Sequence, residues 1–260
     1  MNRIDETVEF IEFDRKNNFI IEPEYRHNVI KDRIFDIIRT FKPETIVKAG
    51  LGSGKIIIDI AAEFDLYIVV VEPSITAIND FIEENSGKDS VKNIHFINGD
   101  LHDFPVDYYA ADLLLCIDYL NIFDSGRCLD EFKRAIKFEK HLFFSGVILK
   151  DEDIEGLYDD LMRMIFPLHN DFYLLNDFNT FLELKSFTPI KNILLKFNNN
   201  LEDIINYFKK NYKDISAEDA FSFLNENSEE FSRIYGMDEN FKISEYYLIG
   251  VFKREKVKEI

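Results

Sequence analysis

The stretch Val47-Lys48-Ala49-Gly50-Leu51-Gly52-Ser53-Gly54 sets three alternating glycines after a short apolar run and directly before a helical segment. Glycines at such a junction let the backbone turn tightly and approach a ligand, and the amides opening the next helix favour electronegative groups. The spacing argues against two common phosphate-binding readings. A P-loop needs glycine at 49 and Ser or Thr at 56, where the chain has Ala49 and Ile56. A dinucleotide fingerprint needs glycine at 55, where the chain has Lys55.

Outward from this turn, apolar runs at 45–49, 66–72, 94–98, 112–117 and 141–149 alternate with helical stretches at 55–63, 75–84 and 126–138. Runs this apolar suit a parallel sheet covered on both faces. The alternation predicts a doubly wound sheet whose ligand sits beyond the strand C-termini. Before it, Val8, Phe10 and Phe13, the polar residues 14–18 and the apolar 19–21 predict a hairpin over 7–22, ended by Pro23. Ile30, Ile34, Ile37, Ile38 and Phe41 then recur at helical spacing and predict a helix over 24–41. Beyond the sheet, Ile154, Leu157, Leu161, Met164 and Ile165 predict a helix over 151–165. Two more strands are expected at 188–197 and 245–252, separated by helical sequence over 201–236. The expected organisation is an N-terminal hairpin and lead-in helix (1–43), a core (44–150), and a cap with the last two strands (151–260).

Of the 260 residues, 46% are hydrophobic, enough for a sizeable core, and the net charge of −18 would repel a phosphate backbone. Short basic clusters at Lys209-Lys210 and at Lys253, Arg254, Lys256 and Lys258 read as solvated surface, so neither nucleic acid nor an anionic membrane is expected as a partner. No uncharged apolar run reaches the roughly 18 residues of a transmembrane helix, and MNRIDETVEF has no signal-peptide core. Cys116 and Cys128 are isolated, without a CxxC or a Cys/His cluster, so neither a metal site nor a disulfide framework is expected. A cytoplasmic location follows as the expectation.

The strand ends carry the candidate chemistry. The second strand ends in Glu72-Pro73-Ser74, some twenty residues after the glycines, where a carboxylate can accept both hydrogen bonds of a ribose diol. The third ends near Asp100-Leu101, where a carboxylate could accept from an adenine amino group. The fourth ends at Asp118-Tyr119. In this order the chain resembles the class I S-adenosylmethionine-dependent methyltransferase family over roughly 44–150. The resemblance is carried by 47–54, by Val71-Glu72-Pro73-Ser74, by 99–105 and by 111–119. The helix around Cys128–Ile136, the strand at 142–146 and the closing strand at 245–253 extend it.

The resemblance implies a doubly wound, mostly parallel seven-stranded Rossmann-like sheet with an N-terminal hairpin and helix and with helical cap insertions. It implies S-adenosylmethionine as cofactor, with Gly50, Leu51 and Gly52 against its methionine and ribose portions. Glu72 and Pro73 would lie at the ribose, and Asp100 and Leu101 at the adenine. Asp118 and Tyr119 are the residues placed to face a transferred methyl group, an in-line displacement in which positioning does much of the work. The acceptor would be a small molecule. No Asn/Asp-Pro-Pro-Tyr signature of nucleobase or amide methylation is present.

One position departs from the family. An acid usually stands two residues before the first glycine and organises the end of the pocket that receives the amino-acid moiety; here it is Lys48. The lysine is either a cofactor contact, a neutral variant that tolerates Lys48→Glu, or the mark of a non-catalytic methyltransferase-like subunit with a protein partner. The Lys-Pro-Gly-Gly turn common before the fifth strand is also absent. A nicotinamide-dependent oxidoreductase is disfavoured by Lys55 and Asp100. Tyr25 and Arg26 could reach a cofactor carboxylate. Phe166, His169, Phe172, Tyr173, Phe178 and Phe181 would either line an apolar lid or form a cap core. The sequence leaves the oligomeric state open, a homo-oligomer included.

Overall fold

The computed structural model describes residues 3–256. Its seven strands are β1 (Thr45–Ala49), β2 (Tyr67–Glu72), β3 (Ile94–Asn98), β4 (Ala111–Ile117), β5 (Ile136–Ile148), β6 (Phe187–Asn200) and β7 (Lys242–Arg254). They form one sheet in the order β3-β2-β1-β4-β5-β7-β6. β1 to β5 run parallel, and β7 lies antiparallel between β5 and β6. β1 is flanked by β2 and β4, with Val47 opposite both Val69 and Leu114. The strand order therefore reverses at β1 and β4, and such a switch point opens a crevice at the strand C-termini. Gly50 and Tyr119 leave the sheet at that crevice.

Helices cover both faces. On one face α2 (Glu24–Phe41), α3 (Lys55–Glu63) and α4 (Ile75–Glu84) bury Ile34, Ile57 and Phe81 against Ile46, Ile68 and Leu113. On the other, α5 (Ser125–Ala135) and the remaining helices pack against Val47, Ala49 and Leu114. Neighbouring residues of β1 thus feed opposite cores, as strand geometry requires. Ser74 caps α4 by accepting from Ala77 N–H at 3.0 Å, and Asp124 caps α5 by accepting from Arg127 N–H at 2.9 Å.

The expected hairpin over 7–22 is a helix, α1 (Arg3–Asn17). Its buried residues are Thr7, Phe10, Ile11 and Asp14, spaced i, i+3, i+4 and i+7, so the helical period outweighs the local alternation at Val8 and Phe10. Asp14 is buried because its carboxylate accepts from Ile20 and Ile21 N–H at 2.9 and 2.7 Å and from the Tyr207 hydroxyl. Those bonds fix residues 18–23 as a strap over the strand ends. α1 packs on α4, with Ser74 Oγ donating to Glu12 at 2.7 Å and Arg15 reaching the Gly52 carbonyl at 3.3 Å.

The expected helix over 151–165 is shorter, α6 (Leu157–Ile165), and Ile154 is exposed. A left-handed Gly156 (φ 78°) starts it, so residue 154 falls in a turn outside the apolar stripe. β5 begins at Ile136, where that residue pairs with Ala111, so α5 stops at Ala135 and not near 138. α7 (Leu175–Leu184) precedes β6, and α8 (Leu201–Asn211), α9 (Ala217–Glu226) and α10 (Ser228–Tyr235) fill the helical stretch before β7. Among the described residues no helix is long and apolar enough to cross a membrane, and no His, Cys, Asp and Glu group could hold a metal ion.

Candidate functional site

Gly50 and Gly52 both adopt left-handed backbone, φ 78° and 57°, and Gly50 N–H closes the turn on the Val71 carbonyl at 2.8 Å. The close approach these glycines permit is used by the chain itself. A β-carbon added at Gly50 would lie 2.0 Å from the Tyr119 ring, and one at Gly52 would lie 2.5 Å from the Glu22 carboxyl carbon.

Glu72, fully buried at the end of β2, has both oxygens engaged. Oε2 accepts from Leu51 N–H at 2.7 Å and from the Tyr119 hydroxyl at 3.1 Å, and Oε1 accepts from Ser74 N–H at 2.8 Å. Burial pushes its carboxyl up from the ordinary range, against the pull of those donors. The Tyr119 hydroxyl also accepts from Gly52 N–H at 3.2 Å, and burial raises its phenol well above the usual value.

Lys48 is wholly buried. Its ammonium donates to the Gly50 and Leu51 carbonyls at 2.6 and 3.3 Å and is ion-paired with Glu22. Glu22 belongs to the strap, at φ 53°.

The remaining predicted residues surround this cluster. The Pro73 carbonyl accepts from Asn98 Nδ2 at 2.8 Å. Asp100 is half-buried; it accepts from His102 N–H at 2.9 Å and pairs with His102 Nδ1 at 3.4 Å. His102 Nε2 faces the Asp124 N–H at 3.0 Å, and burial holds the imidazole below its ordinary pKa. Leu101 lies in the core.

The predicted site residues are therefore brought to one end of the sheet, yet Lys48, Gly50, Leu51, Gly52, Glu72 and Tyr119 bond to one another, while Pro73, Asp100 and Asp118 bond to other residues of the chain. S-adenosylmethionine does not fit this arrangement. The Glu72 oxygens expected to take a ribose diol already hold three protein donors. The Tyr119 ring fills the space over Gly50, and the Glu22 carboxylate fills the space over Gly52.

Beside this cluster, Asp118 accepts from Glu22 N–H at 3.0 Å and from Arg26 Nη1 at 3.3 Å. Arg26 Nη2 donates to Glu245 at 2.6 Å, and Tyr158 donates to the same carboxylate at 3.2 Å. The guanidinium also lies 4.3 Å from the Tyr247 ring centroid, a cation–π contact. This buried group floors a cavity of about 90 Å³, walled by Phe19, Tyr25, Phe166 and Phe172 with Asn121 and His169 at its polar edge. Of the cap aromatics, Phe166, His169 and Phe172 reach the cavity, while Phe178 packs on Phe144 in the core.

Burial pushes Asp118 up to about 6, against the lowering pull of Arg26. Between that value and the unfolded value near 3.8, the native state binds a proton that the unfolded chain does not. Acidification through this window thus stabilises the fold through Asp118, and the contribution is lost as pH rises through about 6. Denaturant titrations across that range are expected to show the wild type gaining stability relative to Asp118→Asn as pH falls. A pH-independent difference between the two proteins would refute the assignment.

Glu22 and Glu245 were not singled out from the sequence. Glu245 does leave a signal, standing between Ile243 and Tyr247 at the inward positions of β7. Glu22 leaves none, since its role depends on a strap conformation and a partner 26 positions away (48 minus 22).

The sheet order, the helices on both faces and the glycine turn at the switch point define the class I Rossmann-like methyltransferase fold. Residues 46–139 match the family model described as the methyltransferase domain, in keeping with the motif resemblance. A candidate methyltransferase from Bacillus halodurans C-125 is 12% identical, with 87% of this chain and 99% of that one covered at a TM-score of 0.73. Geranyl diphosphate C-methyltransferase from Streptomyces coelicolor A3(2), solved with Mg²⁺, geranyl diphosphate and S-adenosyl-L-homocysteine, is 12% identical. There the coverage is 90% of this chain and 81% of the other, at a TM-score of 0.62. The [4+2]-cyclase SpnF is also 12% identical, with 87% and 82% covered at a TM-score of 0.55. These likenesses concern the fold. None of the curated proteins compared matches the chain.

Proposed function

We propose that this chain is a methyltransferase-fold protein that works without S-adenosylmethionine and holds a small organic molecule in the cavity floored by Arg26, Asp118 and Glu245. The observation that carries the reading is the bonding of Glu72 to Leu51, Ser74 and Tyr119 beneath a tyrosine ring that covers Gly50. A buried cluster so fully bonded gains little by exchanging its partners for those of a ligand. The cavity supports a small-molecule occupant because it joins aromatic walls to a few fixed polar groups. A fold also does not dictate its chemistry, and one neighbour of this fold is a cyclase.

The second reading is methyl transfer from S-adenosylmethionine to a small-molecule acceptor, with Asp118 and Tyr119 beside the transferred group. It is favoured by the family match over 46–139 and by the retained turn at Gly50 and Gly52. It requires Tyr119 and Glu22 to leave the positions described. Isothermal calorimetry of the folded chain with S-adenosylmethionine and S-adenosylhomocysteine separates the two. The cofactor-free reading expects no heat of binding for either compound at millimolar ligand. Micromolar binding would establish the second reading and displace the first.

A further inference from the structure

We infer that three side chains of this protein stand in for the cofactor group by group: Lys48 for its α-ammonium, Glu22 for its α-carboxylate and Tyr119 for its ribose. The inference rests on the cofactor-free reading and says how that state is held. The turn at the end of β1 offers the Gly50 carbonyl, which needs a donor, and beside it the Leu51 carbonyl, which accepts from Gly54 N–H at 3.1 Å and has room for a second donor. It also offers the Gly52 N–H, which needs an acceptor, and Glu72 Oε2, which holds Leu51 N–H and can take a second donor. A nucleoside carrying an amino-acid tail would supply each of these from outside. Here the Lys48 ammonium meets both carbonyls, at 2.6 and 3.3 Å. The Tyr119 hydroxyl meets both Gly52 N–H and Glu72, at 3.2 and 3.1 Å, as a ribose hydroxyl would. The Glu22 carboxylate closes over Gly52, pairs with Lys48, and accepts from Ser53 Oγ at 3.4 Å.

The substitutions depend on one another. A lysine buried at position 48 needs the carboxylate that the strap delivers. The strap in turn is tied down by Glu22 N–H on Asp118 and by Asp14 on residues 20 and 21. A tyrosine at 119 fits only because residue 50 has no side chain. The stand-ins bind as part of the chain, so no free ligand competes with them at equal concentration. The cradle is thus intact but filled, and emptying it should restore nucleoside binding.

The test is Tyr119→Ala, which removes the ring and frees Glu72, Gly52 and the space over Gly50. S-adenosylhomocysteine is titrated by calorimetry into the wild type, Tyr119→Ala, Tyr119→Phe, and Tyr119→Ala combined with Glu22→Ala and Lys48→Ala. The expected result is no binding to the wild type or to Tyr119→Phe, which keeps the ring. Tyr119→Ala should bind at least about a hundredfold more tightly than the wild-type limit, and the triple variant more tightly still. p-Cresol, the free form of the deleted side chain, should raise the melting temperature of Tyr119→Ala and compete with the nucleoside. Where truncation to alanine unfolds the chain, Tyr119→Leu, which keeps more apolar volume, is titrated in its place. Opened variants that are folded, by p-cresol stabilisation or a cooperative melt, but do not bind would overturn this inference and leave the cofactor-free reading standing. Wild-type protein binding as tightly as the opened variants would overturn both.

Discussion

Lys48→Glu is expected to abolish cooperative folding near neutral pH, or to remove more than about 4 kcal/mol of stability as read from urea denaturation. As a sequence variant the substitution looks mild, because the family usually carries an acid at this position. In the structure Lys48 has no exposed surface, its ammonium is paired with the buried Glu22, and it caps two carbonyls of the glycine turn. Reversing its charge sets a second carboxylate against Glu22 and close to the buried Glu72. It also strips the donor from the Gly50 oxygen and leaves the Leu51 oxygen with Gly54 N–H alone. Removing one member of a buried pair typically costs about 3–5 kcal/mol, a large part of the roughly 5–15 kcal/mol that holds a typical domain. Lys48→Met, which removes the charge without reversing it, should fall within that range. The double variant Lys48→Met with Glu22→Leu should recover most of the loss, because neither charge is then left alone. A double-variant loss equal to the sum of the separate Lys48→Met and Glu22→Leu losses would show that the pair is not coupled. A Lys48→Glu protein as stable as the wild type would show that the lysine is not held as described.

Why the sequence yields the sheet but misassigns this corner is a matter of range. β1, β3, α3 and α4 fall on the residues expected, and the other elements of the core lie within a few, because apolar period and glycine punctuation are local signals. α1 was hidden because two of its four buried residues, Thr7 and Asp14, are polar and leave a weak stripe. Alternation at Val8 and Phe10 then reads as a strand. The positions of Gly50, Glu72, Asp100 and Asp118 were legible, since strand ends in this order converge on one crevice. What those residues touch was not legible. The Lys48 anomaly was visible, but its partner Glu22 sits on a strap at positive φ that no local pattern announces. Arg26 could have been read more strongly. It continues the stripe of Ile30, Ile34 and Ile37 toward the start of α2, where an arginine implies a buried counter-charge. An acid at 245, inward in an apolar strand, is that counter-charge.

Arg26→Met is the second large effect expected, and its size should depend on pH in a definite direction. Arg26 is the sole cation bonded to Asp118 and Glu245 among the described residues, at 3.3 and 2.6 Å, and all three side chains are buried. Methionine fills similar volume against Tyr247, so the loss should be mainly electrostatic, about 3–5 kcal/mol at neutral pH. Arg26 is also what draws Asp118 down to about 6 despite burial. Without the guanidinium, Asp118 should titrate higher still. A carboxyl whose native pKa lies above its unfolded value binds a proton in the native state first, so acidification stabilises the variant. The deficit relative to wild type should therefore narrow between about pH 8 and pH 5 as Asp118 becomes neutral. The guanidinium's contact with the Tyr247 ring does not depend on Asp118, so part of the deficit should persist at the acid end. Urea titrations of both proteins across that range supply the measurement. A deficit equal at both ends would mean that the loss arises from packing around Tyr247. The cavity floor would then not be a set of charges balanced by one arginine.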